Sequence, residues 1–210
     1  MEFFELIEKR YSCRKYTDEE VKKEDLEKII HAASISPSGK NIQNWHFVVI
    51  RNKDVLHKMG DIVRNRVTSL SSKLPQEIGD TFIKFTRFST FFENAPVVVC
   101  VYAKYYNPES YDEMVAAGDD KVNIERLLEA HPWIQGVGGA IEQMMLAAFD
   151  LGYGACWMSS PNNSLIELEK LIGYREEGMK IVAVVPIGVP AGERKSPSKR
   201  ELTEISTWID

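Results

Sequence analysis

In an extended stretch of chain, side chains two residues apart point the same way. Arg10, Ser12 and Arg14 would then present two guanidinium groups and a hydroxyl from one edge. The planar fork of Arg meets phosphate oxygens bidentately and stays charged at any working pH, so the trio is a phosphate-sized set of donors. The same residues equally describe a solvated, surface-pairing segment. A second basic set, Arg194, Lys195, Lys199 and Arg200, stands in the C-terminal tail. By itself it reads as a solvated run; folded back near Arg10, it would help hold a single phosphate monoester. The stretch Ser36-Pro37-Ser38-Gly39-Lys40-Asn41-Ile42-Gln43-Asn44-Trp45-His46-Phe47 is dense in short polar side chains that can read amide, hydroxyl or ring edges. Its composition is also that of a plain loop.

Other chemistries lack their residues. There is no Ser-His-Asp ordering, Walker lysine loop or His-x-x-x-His pair, so hydrolase and nucleotidase readings have no positive support. Cys13, Cys100 and Cys156 are odd in number and far apart, which argues against a disulfide framework or a zinc site, and each reads as packing rather than nucleophile. His31 and His57 read as helix surface; His46 and His131 stand nearer to loops and tryptophans, where a ligand or a structural role is open. Gly136-Val137-Gly138-Gly139 has the wrong spacing and no preceding strand for a dinucleotide fingerprint, and helix packing explains it better. Lys plus Arg total 26 against 31 Asp plus Glu, a net charge of −5 that disfavours a general nucleic-acid binder. No basic leader or apolar run of about 20 residues is present, so a cytoplasmic location is expected.

The elements that must position these residues follow from hydrophobic period. Residues 2–9 place Phe3, Leu6 and Ile7 on one helical stripe, and residues 10–16 lose that period and read as extended. Thr17 with Glu20 reads as a capping box for a helix carrying Leu26, Ile29, Ile30 and Ala33 up to Ser34. Residues 47–50, 95–102, 155–158 and 180–187 read as strands, and residues 53–64 and 133–150 as helices, the latter with glycines that admit another helix. Asn162 or Asn163 would cap a further helix ending before Gly173.

The interval 67–132 reads as a mostly helical lid or excursion. The Phe82 to Phe92 stretch with Asn107 to Trp133 is the candidate for a variable wall, with ordinary core the alternative for these aromatics, favoured slightly for Phe82 and Phe85. The 210 residues are taken as one domain, with an extended tail over about 188–210. Helices outnumber strands without strict alternation, so the expected class is α+β with a mixed central sheet flanked by helices.

Taken together in chain order, several segments resemble the FMN-dependent nitroreductases. Arg10-Tyr11-Ser12-Cys13-Arg14 is similar to that family's Arg-x-Ser-x-Arg signature, and residues 36–45 to its Pro-Ser-x-x-Asn-x-Gln-Pro-Trp loop, with Asn44 where Pro is usual. Residues 147–158 are similar to its helix, Gly-x-Gly turn and Cys-Trp strand. Residues 185–190, followed by Lys199-Arg200, are similar to its last strand and basic tail.

The resemblance implies an intertwined homodimer with FMN at its interface. It places Arg10 and Ser12, with Lys199 or Arg200, at the phosphate, and Tyr11 among the residues that bind the cofactor. It places Arg14 at the ribityl chain and N1 side, and Pro37, Ser38, Gly39 and Asn41 on the partner subunit. Met158, Ser159 and Ser160 would lie near N5, Ser159 standing where Gly is usual. The flavin, with no catalytic side chain, would carry hydride from NADH or NADPH to nitroaromatics, quinones or similar acceptors in a ping-pong cycle, Arg14 tuning it. A dehydrogenase or reductive dehalogenase of the same fold, or a non-catalytic FMN carrier or sensor, are the alternatives. No metal is implied.

Overall fold

The computed structural model describes residues 2–192 and 196–209. Its helices are α1 (Phe3–Lys9), α2 (Lys23–Ser34), α3 (Lys53–Ser71), α4 (Gln76–Lys84), α5 (Thr86–Thr90), α6 (Tyr111–Ala117), α7 (Lys121–Glu129), α8 (Pro132–Asp150), α9 (Leu165–Ile172) and α10 (Leu202–Ile205). The strands are β1 (Trp45–Ile50), β2 (Val97–Lys104), β3 (Gly154–Ala155) and β4 (Met179–Gly188), in the spatial order β1-β2-β4-β3.

β2 is buried along its whole length up to Lys104 because helices cover both sheet faces. Val97, Val99, Val101 and Ala103 point to one side, where Leu26, Ile29 and Ala33 of α2 and Val137, Ile141 and Met144 of α8 close over them. Val98, Cys100 and Tyr102 point to the other, against Leu56, Met59 and Val63 of α3, Leu168 of α9 and Phe92. The period-two alternation therefore buries both faces rather than one. Each such fully buried Val or Leu side chain contributes about 1.5–3 kcal/mol. In β4 the alternation slips: Val101 pairs with Ala183 but Tyr102 with Ile181, leaving Val182 as the extra residue of a bulge. That slip is what puts Ile181 on the same side as Val184.

All pairings among the named strands are antiparallel. The only parallel character among the described residues is a single bridge, Ser12 to Ala155, so the sheet is less mixed than expected. Helix α2 starts at Lys23 and not at a Thr17 cap; the Thr17 hydroxyl instead accepts from the Glu19 amide at 3.3 Å. Helix α9 is preceded by a 3₁₀ turn over Ser160–Ser164, so neither Asn162 nor Asn163 caps it, while Gly173 ends it in the left-handed region as expected. The strand expected through Met158 shortens to β3 plus one bridge from Met158 to Val184. The interval 67–132 contains β2, which divides it into two excursions. Phe82 is half-buried and Phe85 exposed, so neither is core. The glycines of α8 admit a loop, not another helix: a Cβ at Gly136 would lie 3.2 Å from the Pro37 carbonyl oxygen, and one at Gly139 would lie 2.9 Å from Ser36 Oγ.

One close approach lies at β3. A Cβ on Gly154 would stand 2.5 Å from Cys13 Cβ and 2.7 Å from its sulfur, both atoms of a buried side chain with no room to retreat. Gly154→Ala is therefore expected to destabilise the fold by about 1–3 kcal/mol, the usual cost of overpacking. Urea denaturation checks this, and an unchanged midpoint would show that the residue 10–16 segment does not depend on this contact.

Candidate functional site

The residue 10–16 segment is stitched along the edge formed by β3 and the end of β4. The Cys13 amide donates to the Ala155 carbonyl at 2.9 Å, Thr17 to Val189 at 2.9 Å, and Ala191 to Lys15 at 3.0 Å. The Tyr16 hydroxyl donates to the Cys13 carbonyl at 2.7 Å, with the Pro186 carbonyl 3.3 Å away. Burial pushes this phenol well above its ordinary range, so it remains a neutral donor.

Arg10 leaves that edge toward α8, where its Nε meets Glu142 Oε1 at 3.2 Å. Its Nη1 is buried and has no hydrogen-bond partner. A buried donor left unpaired costs about 1–3 kcal/mol, so this guanidinium is poised for an acceptor. Tyr11 packs its ring edge on Phe149 of α8, with centroids 6.0 Å apart.

Arg14 opens on a cleft of about 700 Å³, lined also by Lys15, Arg87, Phe88, Phe91, Cys156, Trp157, Met158, Ser159 and Ser160. The edge and the cleft are one neighbourhood: the Ser12 hydroxyl and the charges of Arg14 and Arg10 all act on the Cys156 thiol. Burial outweighs them and pushes this thiol up, which makes it a poor nucleophile at neutral pH. Among the described residues, none lining the cleft is acidic or a histidine. The wall therefore offers cations, aromatic faces and hydroxyls, but no general acid or base; it is suited to binding a planar anionic group whose chemistry is its own.

A family description of nitroreductases matches residues 7–189. The chain belongs to the nitroreductase family. Over the full length of both chains it superposes on a BluB-like flavoprotein from Clostridium difficile 630, with a TM-score of 0.94 and 38% identity. It is 29% identical over 195 residues to a protein provisionally named NADH dehydrogenase/NAD(P)H nitroreductase from Archaeoglobus fulgidus, covering 92% of this chain and 88% of that one. A nitroreductase with bound FMN from Desulfitobacterium hafniense shares the fold at a TM-score of 0.72 and 20% identity, covering 99% of this chain and 97% of that one.

Within this nitroreductase-family chain the expected site residues fall into three places. Arg10, Tyr11, Ser12, Arg14, Met158, Ser159 and Ser160 gather around the cleft and the edge beside it. Pro37, Ser38, Gly39 and Asn41 do not line that cleft. Their loop lies against Gly136 and Tyr106, toward the start of α8, with Lys40, Asn41 and Gln43 at φ values of 51°, 53° and 46°. Lys199 and Arg200 are exposed and lie outside the cleft; Arg194 and Lys195 fall outside the described residues.

His46 stacks on Tyr174 at 4.1 Å, away from the cleft, and of the residue 107–133 stretch the start and Pro132 line a separate hollow beside Gly39 rather than the cleft. Sequence reasoning missed Lys15, Arg87 and Trp157 as cleft residues. It also missed buried Asn44, whose amide donates to the carbonyls of Lys104 at 2.7 Å and Trp133 at 2.8 Å and so fastens the loop. Its departure from the family's Pro was the available signal.

All three thiols are buried, so titration of native protein with a chromogenic disulfide at neutral pH is expected to read near zero and to reach three only after denaturation. Rapid labelling of Cys156 in the folded protein would contradict its assignment as an inert wall residue.

Proposed function

We propose that this protein is an FMN-dependent oxidoreductase that takes hydride from NADH or NADPH and passes it to electron-poor acceptors such as nitroaromatics or quinones. The observation that carries this reading is the cleft itself: cations and aromatic faces, without a carboxylate or imidazole, in a chain of this family. The flavin character of the similar Clostridium difficile protein supports it.

The donor set fits the group. The unpartnered Nη1 of Arg10 supplies what a phosphate oxygen accepts, and Ser12, two residues on, is held on the β3 edge by its bridge to Ala155. Lys199 or Arg200 would add a further positive charge. Arg14 would approach the N1 side of the ring, and Met158, Ser159 and Ser160 the N5 side. When bound, FMN supplies hydride acceptance and donation at N5.

The chain's part is binding, orientation and charge. The Arg14 guanidinium would favour electron density gathering on the adjacent side of the ring. Phe88, Phe91 and Trp157 keep water off an apolar face open to a planar reactant. With a single open face, donor and acceptor take turns there, which is the origin of ping-pong kinetics.

A second copy of the chain completes the site in this reading. Arg10 contacts α8 at Glu142, six residues beyond Gly136, about 9 Å along the axis from where the Pro37–Ser38 loop packs. The loop thus stays clear of its own chain's cleft and is free to serve a partner's. Phe4 at 72% exposure, Trp208 at 79% and Ile209 at 94% are apolar surface that a partner would cover.

Arg10→Ala is expected to weaken FMN binding at least tenfold, as loss of charge-assisted hydrogen bonds worth about 1.5–3 kcal/mol requires. Flavin released from the purified variant and its parent, with circular dichroism as the folding control, measures this. A parent protein that is colourless and takes up no FMN on reconstitution would contradict the proposal.

A further inference from the structure

The cleft carries more positive charge than FMN accounts for. In the reading above, the phosphate falls to Arg10 and the N1 side to Arg14. Lys15 and Arg87 are left over, and Arg87 lines the same space beside Phe88. Its guanidinium carbon sits 4.8 Å from the centroid of the Phe88 ring, and both residues line the cleft. Among the described residues Arg87 takes part in no ion pair, whereas Arg10, Arg51, Arg64 and Arg126 each meet a carboxylate. The cation is thus held by an aromatic face rather than neutralised, in a chain whose net charge is −5.

Its platform is firm. Ser89 and Thr90 on the same short helix are buried, and Phe92 just beyond is in the core. The Ser160 hydroxyl donates to the Phe88 carbonyl at 3.1 Å, tying this wall to the one that carries Met158 and Ser159. Two residues away in chain order from buried anchors, Arg87 pays little ordering entropy to meet a ligand, and its planar fork matches a carboxylate.

We propose that Arg87 selects, for the same site, acceptors that join a planar electron-poor ring to a carboxylate or similar anion, the ring lying along Phe88 and Trp157 and the anion on the guanidinium. The proposal rests on the FMN-dependent reading. The diphosphate of the nicotinamide donor has the same oxyanion chemistry, so the test must separate the two sources.

The experiment compares the FMN-loaded protein with Arg87→Gln and Arg87→Lys. Acceptor turnover is read as the ratio of kcat/KM for 4-nitrobenzoate to that for neutral 4-nitrobenzamide. Binding is read separately, without turnover, as the ratio of affinities for benzoate and benzamide from perturbation of the flavin spectrum. Donor recognition is read as the ratio for NADH over reduced N-benzylnicotinamide, which lacks the diphosphate.

The expected result is a preference for the carboxylate of about tenfold or more in both acceptor ratios. It should be abolished in Arg87→Gln, reduced but not lost in Arg87→Lys, which keeps the charge without the fork, and weakened by added salt, since an exposed charge pair is screened. Acceptor ratios unchanged in Arg87→Gln would overturn the proposal, as would a fall confined to the donor ratio. A protein that loads no FMN strikes the underlying reading, and this proposal falls with it; a protein that loads FMN and reduces 4-nitrobenzamide without preferring the carboxylate refutes Arg87's role alone.

Discussion

The site depends on one strip of backbone pairing. Residues 10–16 have no regular structure of their own; they are straight because Cys13 pairs with Ala155, and because Lys15 and Thr17 pair with Ala191 and Val189. That pairing requires a position without a side chain at Gly154, where Cys13 fills the space a Cβ would take. It also requires the buried Tyr16 hydroxyl to satisfy the Cys13 carbonyl. Arg10 and Arg14 emerge from this strip at fixed places, one toward α8 and the other toward the cleft. Without the strip, two mobile arginines would have to be ordered by the ligand at the ligand's expense.

Electrostatics gives the second constraint. A net-acidic chain that gathers three cationic side chains on one cleft, and no acidic one among the residues lining it, concentrates its positive potential where an anionic planar group would lie. The thiol within that cleft is held neutral by burial despite two nearby arginines. Reactivity is thereby withheld from the protein's own nucleophile, which suits a site whose chemistry comes from a bound group.

Much of this was legible in the sequence because it is local. The aliphatic run of β2 and Gly173 closing α9 each carry their cause within a few residues. What was not legible is long-range. Nothing near Val182 announces the bulge that re-phases β4, because it is set by packing of Ile181 across the sheet. Thr17 and Glu20 imitate a capping box, but Thr17 is committed to Val189 and α2 starts only at Lys23. Arg87 was invisible as a site residue because its segment shows only an aromatic-rich helix, and its relation to Arg14 exists only after α5 folds against the 3₁₀ turn that follows Met158. The loop carrying Ser38 is the converse case: its residues match the family pattern, yet within one chain they lie apart from the cleft.

The central claim is that this cleft holds FMN in position to exchange hydride with a nicotinamide and then with an acceptor. Anaerobic mixing of the flavin-loaded protein with NADH or NADPH in a stopped-flow spectrophotometer tests it most directly. The account predicts that the visible flavin band bleaches in a single turnover with at least one of the two donors, and that adding a quinone restores it. A flavin that neither donor bleaches, in a protein that retains its FMN, would contradict it.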